Sequence, residues 1–214
     1  MPRLTQIKET KKGRMALFLD GAFAFSLDED TFAKAALHEG ENLDTARVEE
    51  LRKQSDTRRA LDKAMDYLSL RDHAAGELYQ KLCRKFDAPS AAWAVARAGE
   101  LGLLDDAAFA RRRAAELLRK RKSRREIFTD LAAKGIDRDI AAQTVEALYA
   151  VDDEGEDPEI NTARALVARQ YAAKLAAGKR EQVAAALARR GFSHGVIRAV
   201  LDEAAEDSPD LYQE

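Results

Sequence analysis

Residues 131–141 read LAAKGIDRDIA and residues 187–197 read LARRGFSHGVI. Both run from a Leu through one or two basic residues to a Gly, then a bulky apolar residue, a helix-starting polar residue and a β-branched one. A helix that ends at such a Gly and restarts at an Asp or Ser two residues later makes a tight helix-to-helix turn. A fainter version, LCRKFDAPSAAWAV, begins at Leu82. The spacing from Leu82 to Leu131 is 49 residues and from Leu131 to Leu187 it is 56, a period in the range of helical repeats. The fold must therefore repeat a small helical unit, and each phrase is expected to be the turn between the second and third helices of one repeat.

Apolar spacing fills in those helices. Leu61, Ala64, Met65 and Leu68 share one face, Glu77, Leu78 and Leu82 open the next helix, and a third runs to Leu101 with Trp93 expected in its core before Gly102 stops it. That gives a first three-helix repeat over 55–104. The second, 105–150, starts at Asp105-Asp106 and runs to about Arg121. Ser123 and Glu126 have capping-box spacing for a helix ending at Lys134-Gly135, and Asp137 caps one carrying Ile140, Val145 and Leu148. In VDDEGEDPE, residues 151–159, six of nine residues are acidic, which predicts an exposed, mobile linker on which the third repeat swings. The third repeat, 157–206, opens with Asp157-Pro158 on a helix reaching Ala177. After Gly178 a helix carries Val183 and Leu187 to Gly191, and Ser193 starts the last, with Val196, Ile197, Val200 and Leu201. Nine helices from about Thr57 to Ala205 are expected, then a tail at 207–214.

The first 50 residues follow another period. MALFLDGAFAFSL, from Met15 to Leu27, alternates around Asp20-Gly21, a type I′ hairpin signal that sets Phe18 opposite Phe23. LTQIKE supplies a third strand, and a short helix from Glu29 to His38, stopped by Gly40, follows it before another helix begins near Asp44. The fold class is thus mainly α: three tandem three-helix repeats forming a curved elongated module, preceded by a small β-meander with a short helix at 1–50.

Chemistry is sparse. There is no Gly-rich phosphate loop and no HExxH, CxxC or GxSxG, and the three histidines, His38, His73 and His194, fall at separate helix ends as caps or surface residues. Cys83 is the sole cysteine, so an intrachain disulfide and a multi-thiolate metal site are excluded; it is expected to be a small buried hydrophobe. DDEGED lacks the Gly and Glu positions of a calcium loop. No enzyme and no cofactor are expected. No secretory core or membrane-length apolar run is present, which makes the cytoplasm the expected location and a membrane partner unexpected. With 36 Lys and Arg against 38 Asp and Glu, bulk charge alone would not hold the chain to DNA.

Local charge is another matter. In RRRAAELLRKRKSRR, Arg111 to Arg125, nine of fifteen residues are basic and one is acidic. Ala110, Ala114, Leu117 and Leu118 share one side of that helix, and the charges opposite repel one another unless an anionic partner meets them. Smaller basic pairs recur near the other turns. The candidate partner-binding residues are Arg84, Lys85, Arg111, Arg112, Arg113, Arg119, Lys120, Lys122, Arg124, Arg125, Lys179, Arg180, Arg189 and Arg190.

YLSLRDHAAGELYQKLCRKF, LGLLDDAAFARRR, REIFTDLAAKGI and REQVAAALARRGF together resemble the RecX family, regulators of the RecA recombinase, over roughly Ala60 to Ala205. The segment KKGRMALFLDGAFAFSLDED resembles the extra N-terminal segment of some members, whereas Phe86 stands where the first-repeat turn of the family has Gly. The resemblance implies a non-enzymatic, monomeric protein that binds in the groove of a RecA filament on single-stranded DNA. There it would modulate ATP hydrolysis, filament stability and strand exchange, with the basic residues meeting acidic RecA surface, DNA phosphate or both. The alternative expectation is a direct nucleic-acid binder built of helix-turn-helix-like units.

Overall fold

A computed structural model describes residues 1–150, 155 and 157–206, and the chain divides into two compact units, Met1–Leu104 and Asp105–Glu214. In the first, β1 (Leu4–Glu9), β2 (Met15–Leu19) and β3 (Ala22–Leu27) form an antiparallel meander in that order. Asp20 (φ 50°) and Gly21 (φ 83°) both take the left-handed conformation that a type I′ turn demands. Phe18 pairs with Phe23, and their rings meet edge to face with centroids 5.8 Å apart. Leu4, Leu17, Phe25 and Leu27 bury one side of the sheet against Leu37, Leu43, Val48 and Leu51. A short helix, α1 (Glu29–Ala35), is capped by Asp28, whose carboxylate accepts from the Thr31 amide at 3.1 Å.

The expected boundary between units at residues 50–55 falls inside a helix. One helix, α2 (Thr45–Leu70), runs straight through it, since nothing in that stretch is Gly or Pro. Its first half gives Val48 and Leu51 to the sheet core, and its second half gives Ala60, Leu61 and Ala64 to a core shared with α3 (Ala75–Leu82) and α4 (Ala88–Glu100). Between the halves the buried Ser55 hydroxyl donates to the Ser26 carbonyl at 2.6 Å. Several burial expectations fail in this region. Trp93 is 46% exposed because Ser90, Ala91, Ala94 and Ala98 form the buried arc of α4 and Trp93 lies about 115° from its centre. Met65 and Cys83 are exposed, while His73, expected as a cap or surface residue, is buried beside Tyr67 with Nδ1 3.1 Å from Glu77 Oε2. That burial lowers the His73 pKa.

The second unit contains α5 (Asp106–Arg119), α6 (Arg124–Ala133) and α7 (Arg138–Leu148), then α8 (Pro158–Gln170), α9 (Ala172–Ala176), α10 (Arg180–Arg189) and α11 (His194–Glu206). The helix expected to reach Ala177 is broken at Tyr171, which packs on the core of the third repeat, so ten helices rather than nine follow α1 among the described residues. Ser123 and Glu126 form the full capping box. Of the expected linker, residues 151–154 and 156 lie outside the described residues, as does the tail at 207–214, and the mobility expected of the linker concerns those residues. Its last residues are the beginning of α8. Asp157 caps the Glu159 amide at 2.8 Å, and Glu159 is 5% exposed.

The repeated phrase resolves into one backbone motif. At Gly135 the amide reaches back to Ala132 O at 2.9 Å and the Ile136 amide to Leu131 O at 3.1 Å; at Gly191 the same bonds run to Ala188 O (2.9 Å) and, from Phe192, to Leu187 O (3.3 Å). These are Schellman closures, in which the Gly takes positive φ and the following apolar residue folds into the core. In the first repeat, Phe86 does not take positive φ. It packs instead against the core, under the Arg59 guanidinium, 5.8 Å from the ring centroid.

Candidate partner-binding surface

The basic run spans the end of α5, the turn and the start of α6, and the structure sorts it into tied and untied cations. Arg113 lies on the flank of α5 facing α6. Its Nε and NH2 reach Asp130 Oδ2 and Oδ1, each at 2.8 Å, and NH1 reaches Glu116 Oε2 at 3.0 Å. This fork holds the Asp130 carboxyl below its ordinary value, chiefly through the hydrogen bonds from Arg113, and raises the Arg113 pKa. Lys120 bonds Glu116 one turn back, and Lys122 bonds Glu126 at 2.8 Å.

Arg124 joins the second repeat to the third. Its guanidinium lies 4.7 Å from the Tyr149 ring centroid and its NH2 donates to the Tyr149 carbonyl at 3.3 Å. Its backbone amide donates to Glu159 Oε1 at 3.2 Å. Burial raises the Glu159 carboxyl above its ordinary value and the Tyr149 phenol likewise, while the Tyr149 hydroxyl donates to the Lys122 carbonyl at 3.0 Å. The buried Ser123 hydroxyl donates to the Arg190 carbonyl at 2.6 Å and accepts from the Glu126 amide. Arg190 reaches Gln170 at 2.9 Å, and Arg180 binds the Leu201 carbonyl and Asp202. Arg113, Lys120, Lys122, Arg124, Arg180 and Arg190 thus make contacts within the fold.

Arg111, Arg119, Arg125, Lys179 and Arg189 are exposed and, among the described residues, have no carboxylate partner. Arg112 is exposed too. Arg84 and Lys85 are exposed in the α3–α4 turn of the other unit. Sequence reasoning left out Arg121, which takes φ 57° at the end of α5 and makes the closure that Gly135 and Gly191 make, with bonds to Leu118 O (2.8 Å) and, from Lys122, to Leu117 O (3.1 Å). Matching the ends of α5, α6 and α10 by position would have found it. Beside the turn, a groove of about 620 Å³ lies between α6 and the α10–α11 turn, lined among others by Leu117, Arg125, Thr129, Ala133, Ala188 and Arg189. Among the described residues, no group of His, Cys, Asp and Glu is placed to hold a metal ion, and no helix is long and apolar enough to cross a membrane.

Two family models match these helices: "RecX, first three-helix domain" over residues 60–97 and "RecX, second three-helix domain" over 105–145. A relative from Bacillus licheniformis, named "Regulatory protein RecX", is 30% identical over 98% of this chain and 80% of its own length. The chain belongs to the RecX family. A second RecX-family relative, from Lactobacillus johnsonii, carries the same name and is 36% identical over 72% of this chain and 57% of its own. A crystal structure titled regulatory protein RecX superposes with a TM-score of 0.67 over 94% of this chain and all of that one; at 21% identity the likeness is one of fold. The third repeat, 157–206, lies beyond both family-model matches.

Proposed function

We propose that this RecX-family chain is a non-enzymatic regulator of RecA that binds in the groove of the RecA–DNA filament as a monomer in the cytoplasm and modulates ATP hydrolysis, filament stability and strand exchange. Family membership supports the partner. The observation that carries the reading is the set of untied cations on the second repeat: Arg111 and Arg119 are exposed on α5 and, among the described residues, have no carboxylate to answer them. Exposed guanidiniums that no carboxylate of the fold answers are open to an anionic partner. The second and third repeats are joined by direct bonds, so contacts on both count together as one multivalent surface.

The test is RecA ATPase on single-stranded DNA, titrated with the parent chain and with Arg111→Glu/Arg119→Glu. The parent should change the rate at substoichiometric ratios to RecA, and the variant should need about tenfold more protein, with helicity unchanged. No effect of the parent refutes the function. A direct nucleic-acid binder would instead bind naked DNA tightly with a steep salt dependence and leave RecA alone.

A further inference from the structure

We infer that the groove between α6 and the α10–α11 turn is a docking site for an acidic segment of a partner protein. In this reading Arg125 and Arg189 take its carboxylates, and the Leu117, Ala133 and Ala188 lining takes an adjoining aliphatic side chain. The inference rests on the proposed function only in assuming a protein partner. The groove, at about 620 Å³, has room for a few side chains.

Its charges settle what kind. Among the described residues, four cations and two carboxylates line it, and both carboxylates are occupied: Glu126 by Lys122 at 2.8 Å and by the Ser123 amide at 3.2 Å, Asp130 by the two-pronged Arg113. Lys122 is spent in the same way, and Arg190 is engaged by Gln170. Arg125 and Arg189 remain, both exposed and, among the described residues, without a carboxylate. A guanidinium presents a planar fork that matches a carboxylate on two points.

The lining favours a peptide over a nucleic acid. Among the described residues no aromatic ring lines the groove, so bases would find no stacking platform there. The two arginines are set apart by the apolar lining of Leu117, Ala133 and Ala188, which has nothing to offer a phosphate backbone, whereas a peptide can set an aliphatic residue there and carboxylates at the two arginines. The walls are also fixed before any partner arrives. The capping box anchors α6, the Ser123 hydroxyl holds the Arg190 carbonyl at 2.6 Å, and Gly191 brings the turn against the stem of Arg125.

The experiment uses the full chain with two labelled probes, a peptide of repeated Glu-Leu-Glu-Ala and an oligo-dT strand, read by fluorescence anisotropy. Arg125→Gln/Arg189→Gln keeps the aliphatic stem beside Gly191 and removes only the charges; circular dichroism confirms the fold. The peptide should bind the parent, and the Gln pair should weaken it by about tenfold while oligo-dT binding stays unchanged. An absent peptide signal, or a Gln pair that loses oligo-dT and keeps peptide, overturns the inference. RecA ATPase is run alongside. Peptide binding through these arginines with RecA unaffected refutes the proposed function and leaves the docking site standing; a Gln pair that binds peptide and regulates RecA like the parent does the reverse.

Discussion

Replacing Gly191 with Ala tests how tightly the third repeat is set against the second, and Gly178→Ala is its control. Both glycines have positive φ, 86° and 69°, so an added methyl group pays a similar left-handed penalty of about 1 kcal/mol, partly offset by the stiffer unfolded chain. They differ in surroundings. A Cβ at Gly178 meets nothing within 4 Å, whereas one at Gly191 stands 3.0 Å from Arg125 Cβ and 3.1 Å from both Arg125 Cδ and Ser123 Oγ. Ordinary carbon contacts need about 3.5 to 4.0 Å, so the α10–α11 turn must withdraw from α6. A shift of a few tenths of an ångström lengthens the 2.6 Å bond from the buried Ser123 hydroxyl to the Arg190 carbonyl and weakens an interaction worth about 1 kcal/mol. Gly178→Ala should therefore cost about 0.5–1 kcal/mol and Gly191→Ala about 1–2 kcal/mol. Urea unfolding followed by far-UV circular dichroism resolves the gap. Repeating Gly191→Ala in a Ser123→Ala background should add less than the sum, because both changes act on one bond and one close contact. Equal losses at the two glycines, or full additivity with Ser123→Ala, would show that the close approach carries no energy.

Two further outcomes are expected. Arg121→Gly should raise stability by about 0.5–1 kcal/mol in the same urea assay, because Arg121 holds φ 57° where the ends of α6 and α10 use Gly; a loss would mean that the Arg121 side chain contributes to the fold. Burial raises the Glu159 carboxyl above 4.5, so the folded chain binds that proton more tightly than the unfolded one, and the resulting stability is present at low pH and lost as pH rises through the folded value. The urea midpoint of Glu159→Gln relative to the parent should accordingly climb from acid to neutral pH, and a constant difference would contradict the assignment.

What the sequence disclosed follows from how far each interaction reaches along the chain. Asp20-Gly21 sets its own backbone, and the Ser123–Glu126 box, Asp105, Asp137, Asp157 and Ser193 act on amides two or three residues away, as each does in the structure. Burial was less legible because residue type alone does not say which face of a helix packs inward. Trp93 sits on the flank of an arc made of small residues, and His73 enters the interior because Tyr67 and Glu77 receive it. The continuity of α2 was missed for a related reason: the packing partner changes from sheet to helices at Ser55, and a change of partner is not a break in the backbone. The third repeat's first helix shows the converse, since Gln170-Tyr171 carries no breaker and the helix still ends there.

The same distinction separates the basic residues. Lys120–Glu116 and Lys122–Glu126 are four residues apart and readable from helical spacing, whereas Arg113 finds Asp130 seventeen residues on and Arg124 finds Tyr149 and Glu159 across the joint between repeats. A cation engaged in this way is part of the scaffold. Reversing Arg113 leaves Asp130 without its fork, and reversing Arg124 opposes Glu159, so lost binding in either variant would report a displaced helix as readily as a lost contact. Arg111, Arg119, Arg125 and Arg189 carry no such obligation among the described residues. A charge scan confined to those positions reads partner recognition directly, and the difference between its outcome and that of a scan through Arg113 and Arg124 measures how much of the basic run serves the fold.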